Sequence, residues 1–274
     1  MGEMGVVSFE EALAVACFAS VCSVLGSLVV MFISQPGSAY VSRPWLYAII
    51  KSFLSGAVTM ATFVNSDHTA CKGTVGWATV ITGSLTAGFA SAAVGHDPPK
   101  DVALTEHEWN ELVKREFESP RARQRDLQGG ILTAVVIGLR NLAYGVWFFS
   151  SMSVWQRFML EMSGTSLLRF LAPQFIVLGA AVAVPMYFGG GKWSALLAVA
   201  VSSAAFPLGY TVATLALPSN DVVCWSVEFA GYRAMGMIQA LTLLYFFTSS
   251  LQNAPTRHCL IASTFGLACM VGIR

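Results

Sequence analysis

Eight long apolar runs, with almost all the charge held between them, constrain this chain more than any other feature. An α-helix needs about 20 consecutive apolar residues to cross a hydrocarbon core of ~30 Å. Runs near that length are Ala12–Ser34, Trp45–Val64, Val75–Val94, Gly129–Met152, Leu167–Phe188, Trp193–Leu217, Val222–Phe247 and Cys259–Ile273. The expected fold is all-α: a polytopic membrane helix bundle with seven or eight transmembrane helices, forming a single transmembrane domain over 1–274. The last run, Cys259–Ile273, leaves the count open, because it is short enough to be interfacial or partly re-entrant.

Charged residues make up only 11% of the chain, where a soluble domain carries about a quarter. Six of the sixteen Lys/Arg and eight of the fifteen Asp/Glu fall between Asp97 and Asp126, within a charged extramembrane loop, 97–128. The net charge is +1 and no basic patch is interleaved with aromatics, which argues against a nucleic-acid partner. Glu3, Glu10 and Glu11 precede the first run, which is also too long for the core of a signal peptide. That run is therefore expected to remain as the first span rather than be cleaved.

Placing the connections alternately on two sides collects Arg43, Lys51, the six basic residues of the long loop, Lys192 and Arg257 on one side. Lys72, Arg157, Arg169 and Arg274 fall on the other. The positive-inside rule then puts the long loop in the cytosol or its equivalent, with Lys51 snorkelling to the interface. Thr105 and Glu108 have capping-box spacing, so a loop helix should start near Glu106. Trp109, Leu112, Val113 and Phe117 would share its apolar face. Pro120 should stop it, and Arg121, Arg123 and Arg125 follow. An amphipathic helix on the bilayer surface, with these arginines at lipid head groups, fits that pattern. A docking surface for another subunit fits it as well.

Within the spans, two arginines stand out. Arg140 sits in the middle of Gly129–Met152, followed by Asn141, with Tyr144 one turn further on the same helical face. A central arginine costs roughly 2.5–3.5 kcal/mol on insertion scales, so a partner or a polar cavity must offset it. Two chemistries satisfy that need: a site for an anion, or an ion pair with a carboxylate on another helix. Glu228 is an acid well inside a span and is the obvious partner. Arg233 lies five residues after Glu228, a poor spacing for a pair within one helix, so Arg233 is expected to face solvent or head groups.

Other features are less chemical. Ser84, Gly88 and Ala92 recur every four residues and make a face on which another helix can pack closely. Gly189, Gly190 and Gly191 read as a turn between spans. Cys17 and Cys22 behave as small apolar residues, whereas Cys71 and Cys224 are either separate thiols or, in an oxidising compartment, a disulfide. His68, His96, His107 and His258 all lie in loops or at span ends, and neither an HExxH nor a GxSxG pattern occurs. The expectation is a protein without enzymatic activity, cofactor or metal.

Ile137-Gly138-Leu139-Arg140-Asn141 resembles the Leu-Arg-Asn motif that opens a membrane helix in the plant and bacterial membrane family known as domain of unknown function 599. Gly231-Tyr232-Arg233, running into Leu241, Leu243, Leu244 and Tyr245, is similar to its later Gly-x-Arg motif. The likeness covers about 75–250. It departs at Ala240, near the family's usual proline, and in the polar residues expected in Trp193–Leu217. The resemblance implies a membrane helix bundle and no particular activity. Taken with the intramembrane charge, the residues point to a multi-pass protein that passes or senses a small anionic solute through Arg140. The rival is a structural or accessory subunit of a larger membrane complex. Its partners would be the lipid bilayer and either further copies of itself or other membrane subunits.

Overall fold

The computed structural model describes residues 9–34, 44–66, 119–150, 164–216, 236–238, 246, 250 and 254–272. Among these the fold is all-helical. Five helices form: α1 (Phe9–Ile33), α2 (Pro44–Ser66), α3 (Pro120–Ser150), α4 (Gly164–Ala216) and α5 (Thr256–Gly272). Three are long and apolar enough to cross a membrane, over Leu13–Ile33, Pro120–Val146 and Leu171–Leu215, while Leu46–Met60 is apolar but shorter.

Three is fewer than the seven or eight expected, for reasons visible in the chain. Val75–Val94 lies outside the described residues, as does nearly all of Val222–Phe247. Helix α5 has only 17 residues. The runs Leu167–Phe188 and Trp193–Leu217 belong to one continuous element, α4, interrupted at Gly191 with φ 83°. That positive φ is open to glycine at no steric cost, and the chain reverses there. Phe175 and Phe206 would be ~46 Å apart on a straight helix at 1.5 Å per residue, yet their ring centroids are 5.3 Å apart. Helix α4 is thus a hairpin of two antiparallel arms, 164–190 and 192–216, and the expected glycine turn is in place.

The charged loop expected over 97–128 ends sooner than its charge suggested. Ser119 Oγ accepts the Ala122 backbone N–H at 3.1 Å, and Pro120 opens the helix at a position where its missing N–H costs nothing. Helix α3 therefore starts at Pro120, and 120–128 is its first part rather than loop. At 31 residues it is ~46 Å long, more than the ~30 Å core needs. The surplus carries Arg121 and Arg123, both exposed, and half-buried Arg125. The loop helix expected from Glu106 lies outside the described residues.

Large apolar side chains line the outside of the helices, and in α1 small or polar ones face inward. Helix α1 exposes Phe18, Val21, Leu25, Leu28, Val29 and Phe32, and buries Ala16, Ala19, Cys22, Ser23, Ser27 and Val30. The second arm of α4 exposes Trp193, Leu197, Val201, Leu208, Val212 and Leu215. Helix α3 adds Ile131, Val135 and Leu139, and α5 adds Leu260, Ile261 and Phe265. Apolar stripes of this size are a liability in water and are at home against lipid tails.

With lipid as apolar as the side chains, close backbone approach supplies much of the packing. Three reciprocal glycine pairs provide it. A Cβ on Gly26 would fall on the Ile176 carbonyl oxygen, and one on Gly179 on the Ser23 oxygen, joining α1 to the first arm. Gly145 and Gly209 meet the backbones of Phe206 and Leu142, joining α3 to the second arm. Gly56 and Gly266 do the same for α2 and α5, against Ser263 and Phe53. Ser84, Gly88 and Ala92, expected to form a packing face, lie outside the described residues.

Candidate functional site

Pro207 prepares the site. A proline inside a helix cannot donate to the carbonyl four residues back and pushes against it, which here frees the Ser203 oxygen. Ser20 Oγ of α1 donates to that oxygen at 2.9 Å. The neighbouring Ser202 oxygen accepts from Asn141 Nδ2 of α3 at 3.0 Å. Two side chains from flanking helices thus occupy adjacent carbonyls in the turn that the proline disturbs, as hydrocarbon demands. Asn141 is 1% exposed and Arg140 6%.

The Asn141 side chain, fixed through its Nδ2, turns its oxygen to the neighbouring arginine: Arg140 Nη1 donates to Asn141 Oδ1 at 3.0 Å. The rest of the guanidinium meets aromatic rings. Arg140 Cζ lies 4.7 Å from the Tyr144 ring centroid and 5.7 Å from that of Phe175. Phe206 links the two, stacked on Tyr144 at 5.4 Å and tilted against Phe175 at 5.3 Å. Arg140, Asn141 and Tyr144 come from α3, Phe175 from the first arm and Phe206 from the second.

Among the described residues no carboxylate lies within ion-pairing distance of Arg140. The ring contacts and the charged hydrogen bond are enough to tolerate it. A desolvated cation–π contact stabilises by roughly 0.5–2 kcal/mol, and a hydrogen bond to a charged group by about 1.5–3 kcal/mol. Together these match the ~2.5–3.5 kcal/mol insertion cost. A compensating carboxylate is not required to hold the arginine in place.

The expected strip of Arg140, Asn141 and Tyr144 is therefore brought together by the fold. Glu228 and Arg233 lie outside the described residues, as do Trp109, Cys71 and Cys224. Arg121, Arg123 and Arg125 sit on the first turns of α3, away from Arg140 along the helix. Phe175, Phe206 and Ser202 were not anticipated, since nothing in a local pattern ties residues 35 to 66 positions away to Arg140. Pro207 was the available signal, marking a turn with a freed carbonyl that needs a donor from elsewhere.

A second polar contact was also missed. Lys51, expected to snorkel, is 4% exposed. Its Nζ lies 3.8 Å from Asp126 Oδ1 and over the rings of Tyr47 at 5.2 Å and Phe246 at 5.9 Å. The signal was present: Asp126, Gly130, Thr133, Ile137 and Arg140 follow each other at spacings of three or four, one helical stripe. Asp126 was read as loop because of its charged neighbours. No group of three or more His, Cys, Asp or Glu that could hold a metal ion occurs among the described residues.

Among the described residues these features define a helical fold with three helices fit to cross a membrane and a cation buried between two of them. No family model matches the chain, and no curated protein matches it. The resemblance of 75–250 to the domain of unknown function 599 family rests on its Leu-Arg-Asn and Gly-x-Arg residues alone.

Proposed function

We propose that this chain is a multi-pass integral membrane protein, without enzymatic activity, that passes or senses a small anionic solute at Arg140. One observation carries the reading: a buried guanidinium with ring faces and one amide oxygen around it, and no carboxylate in reach among the described residues. A cation already tolerated by its surroundings keeps its attraction for an incoming anion. The seven or eight spans belong to this proposal, with the two arms of α4 crossing separately and α2 and α5 completing the bundle. Family membership, suggested by the Leu-Arg-Asn motif, belongs to it too.

Reconstitution into liposomes tests it. Arg140→Ala should abolish efflux of chloride, nitrate and lactate while the purified protein keeps its helical circular dichroism and a monodisperse profile. Undiminished flux in a folded Arg140→Ala protein would refute the proposal. The rival reading is an accessory subunit of a membrane complex, favoured by Asn141, which ties α3 to α4 through the Ser202 carbonyl and serves cohesion. On that reading Arg140→Ala unfolds the protein, and mild detergent recovers other subunits at fixed stoichiometry.

A further inference from the structure

The disposition of the Arg140 donors restricts which anion fits, an argument that rests on the reading of Arg140 as an anion site. A guanidinium offers five N–H donors in one plane. Nη1 is engaged by Asn141 Oδ1, which is itself anchored to the Ser202 carbonyl. Among the described residues Nε and Nη2 make no hydrogen bond. Nε–H and Nη2–H point the same way along one edge of the guanidinium, and that edge is the side-on fork that takes two oxygens of one planar group. The rings of Tyr144 and Phe175, with centroids 4.7 and 5.7 Å from Cζ, supply apolar surface around the guanidinium and no second cation.

We infer that Arg140 binds a monocarboxylate, held side-on by Nε–H and Nη2–H with its apolar body against the Tyr144–Phe175–Phe206 rings. A spherical halide can use the charge but not the fork, so carboxylates are preferred. Inorganic phosphate, with two charges, finds only one cation here among the described residues. Asn141 acts as a positioning residue: by taking one N–H of Nη1 it fixes the orientation of the guanidinium plane.

Equilibrium binding of radiolabelled benzoate to the full-length protein in mild detergent tests this, with acetate, chloride and phosphate as competitors. In the wild-type protein acetate should compete at least about tenfold better than chloride. Arg140→Lys keeps the charge and lacks the fork, so it should weaken benzoate at least about tenfold, about 1.4 kcal/mol, and lose the preference for acetate over chloride. If chloride competes as well as acetate, or if Arg140→Lys binds benzoate like the wild type, the carboxylate fork is wrong and the general anion site stands. If the wild-type protein binds none of these anions, both fail. In that case Glu228→Gln lowering thermal stability as far as Arg140→Ala would identify the carboxylate as the chain's own.

Discussion

Lys51 and Asp126 join α2 to α3, and a double-mutant cycle on them tests the packing of the bundle directly. At 3.8 Å two unit charges attract by about 4 kcal/mol at an effective dielectric of ~20, before any desolvation is counted. The two sides of the pair are unequal. The Lys51 side chain is 5% exposed and that of Asp126 15%. Removing the carboxylate leaves a buried ammonium without the charge opposite it, so Asp126→Asn should cost about 3 kcal/mol, at the low end for breaking a buried pair. Without the lysine, Asp126 still has partial exposure and the adjacent Arg125, so Lys51→Met should cost about 1 kcal/mol. The double variant should lie within about 1 kcal/mol of the wild type, because with both charges gone neither is left buried and unpaired. That leaves a coupling of at least about 3 kcal/mol. Reversible unfolding in mixed detergent micelles, followed by circular dichroism, measures all four proteins. If the two single effects simply add to within ~0.5 kcal/mol, the ion pair does not hold α2 to α3 and the reasoning is refuted.

Three further outcomes follow from the packing. Gly179→Ala and Gly209→Ala should each lower stability by about 2 kcal/mol or more, since a Cβ there meets a neighbouring carbonyl or backbone. Gly138→Ala, whose Cβ would sit 3.6 Å from Ser202 Cα, should change little; equal losses at all three would contradict the crossings, as read by the same unfolding assay. Spin labels at Val21, Leu25, Val135 and Val201 should be accessible to oxygen and shielded from a water-soluble nickel reagent, because these stripes face outward and are apolar. Exposure to the nickel reagent at these sites would show that the stripes face water. Asn141→Leu should cost about 2–4 kcal/mol, since it removes the bond to Ser202 and strands the Arg140 Nη1 donor. Thermal unfolding reads that loss, and a cost below ~0.5 kcal/mol would show that the bridge does not bear on stability.

The apolar runs determined by themselves that the described segments are helical, and the glycines at 189–191 marked the reversal inside α4. Arg140, Asn141 and Tyr144 were legible as one strip because helical periodicity is a local property. The start of α3 was misplaced, since charge around Arg121 to Asp126 outweighed the Ser119-Pro120 cap in a reading by composition. Tertiary structure alone decided what surrounds the arginine. The rings of Phe175 and Phe206, and the Ser202 carbonyl beside the Pro207 turn, come from the two arms of a hairpin whose fold-back sets residues 31 apart in contact. The same holds for Lys51 and Asp126, each ordinary at the edge of its own segment. Backbone hydrogen bonds are satisfied within a helix, so a helix can be read from its own residues. What compensates a buried charge must come from another segment, and only the packing of helices brings that segment near.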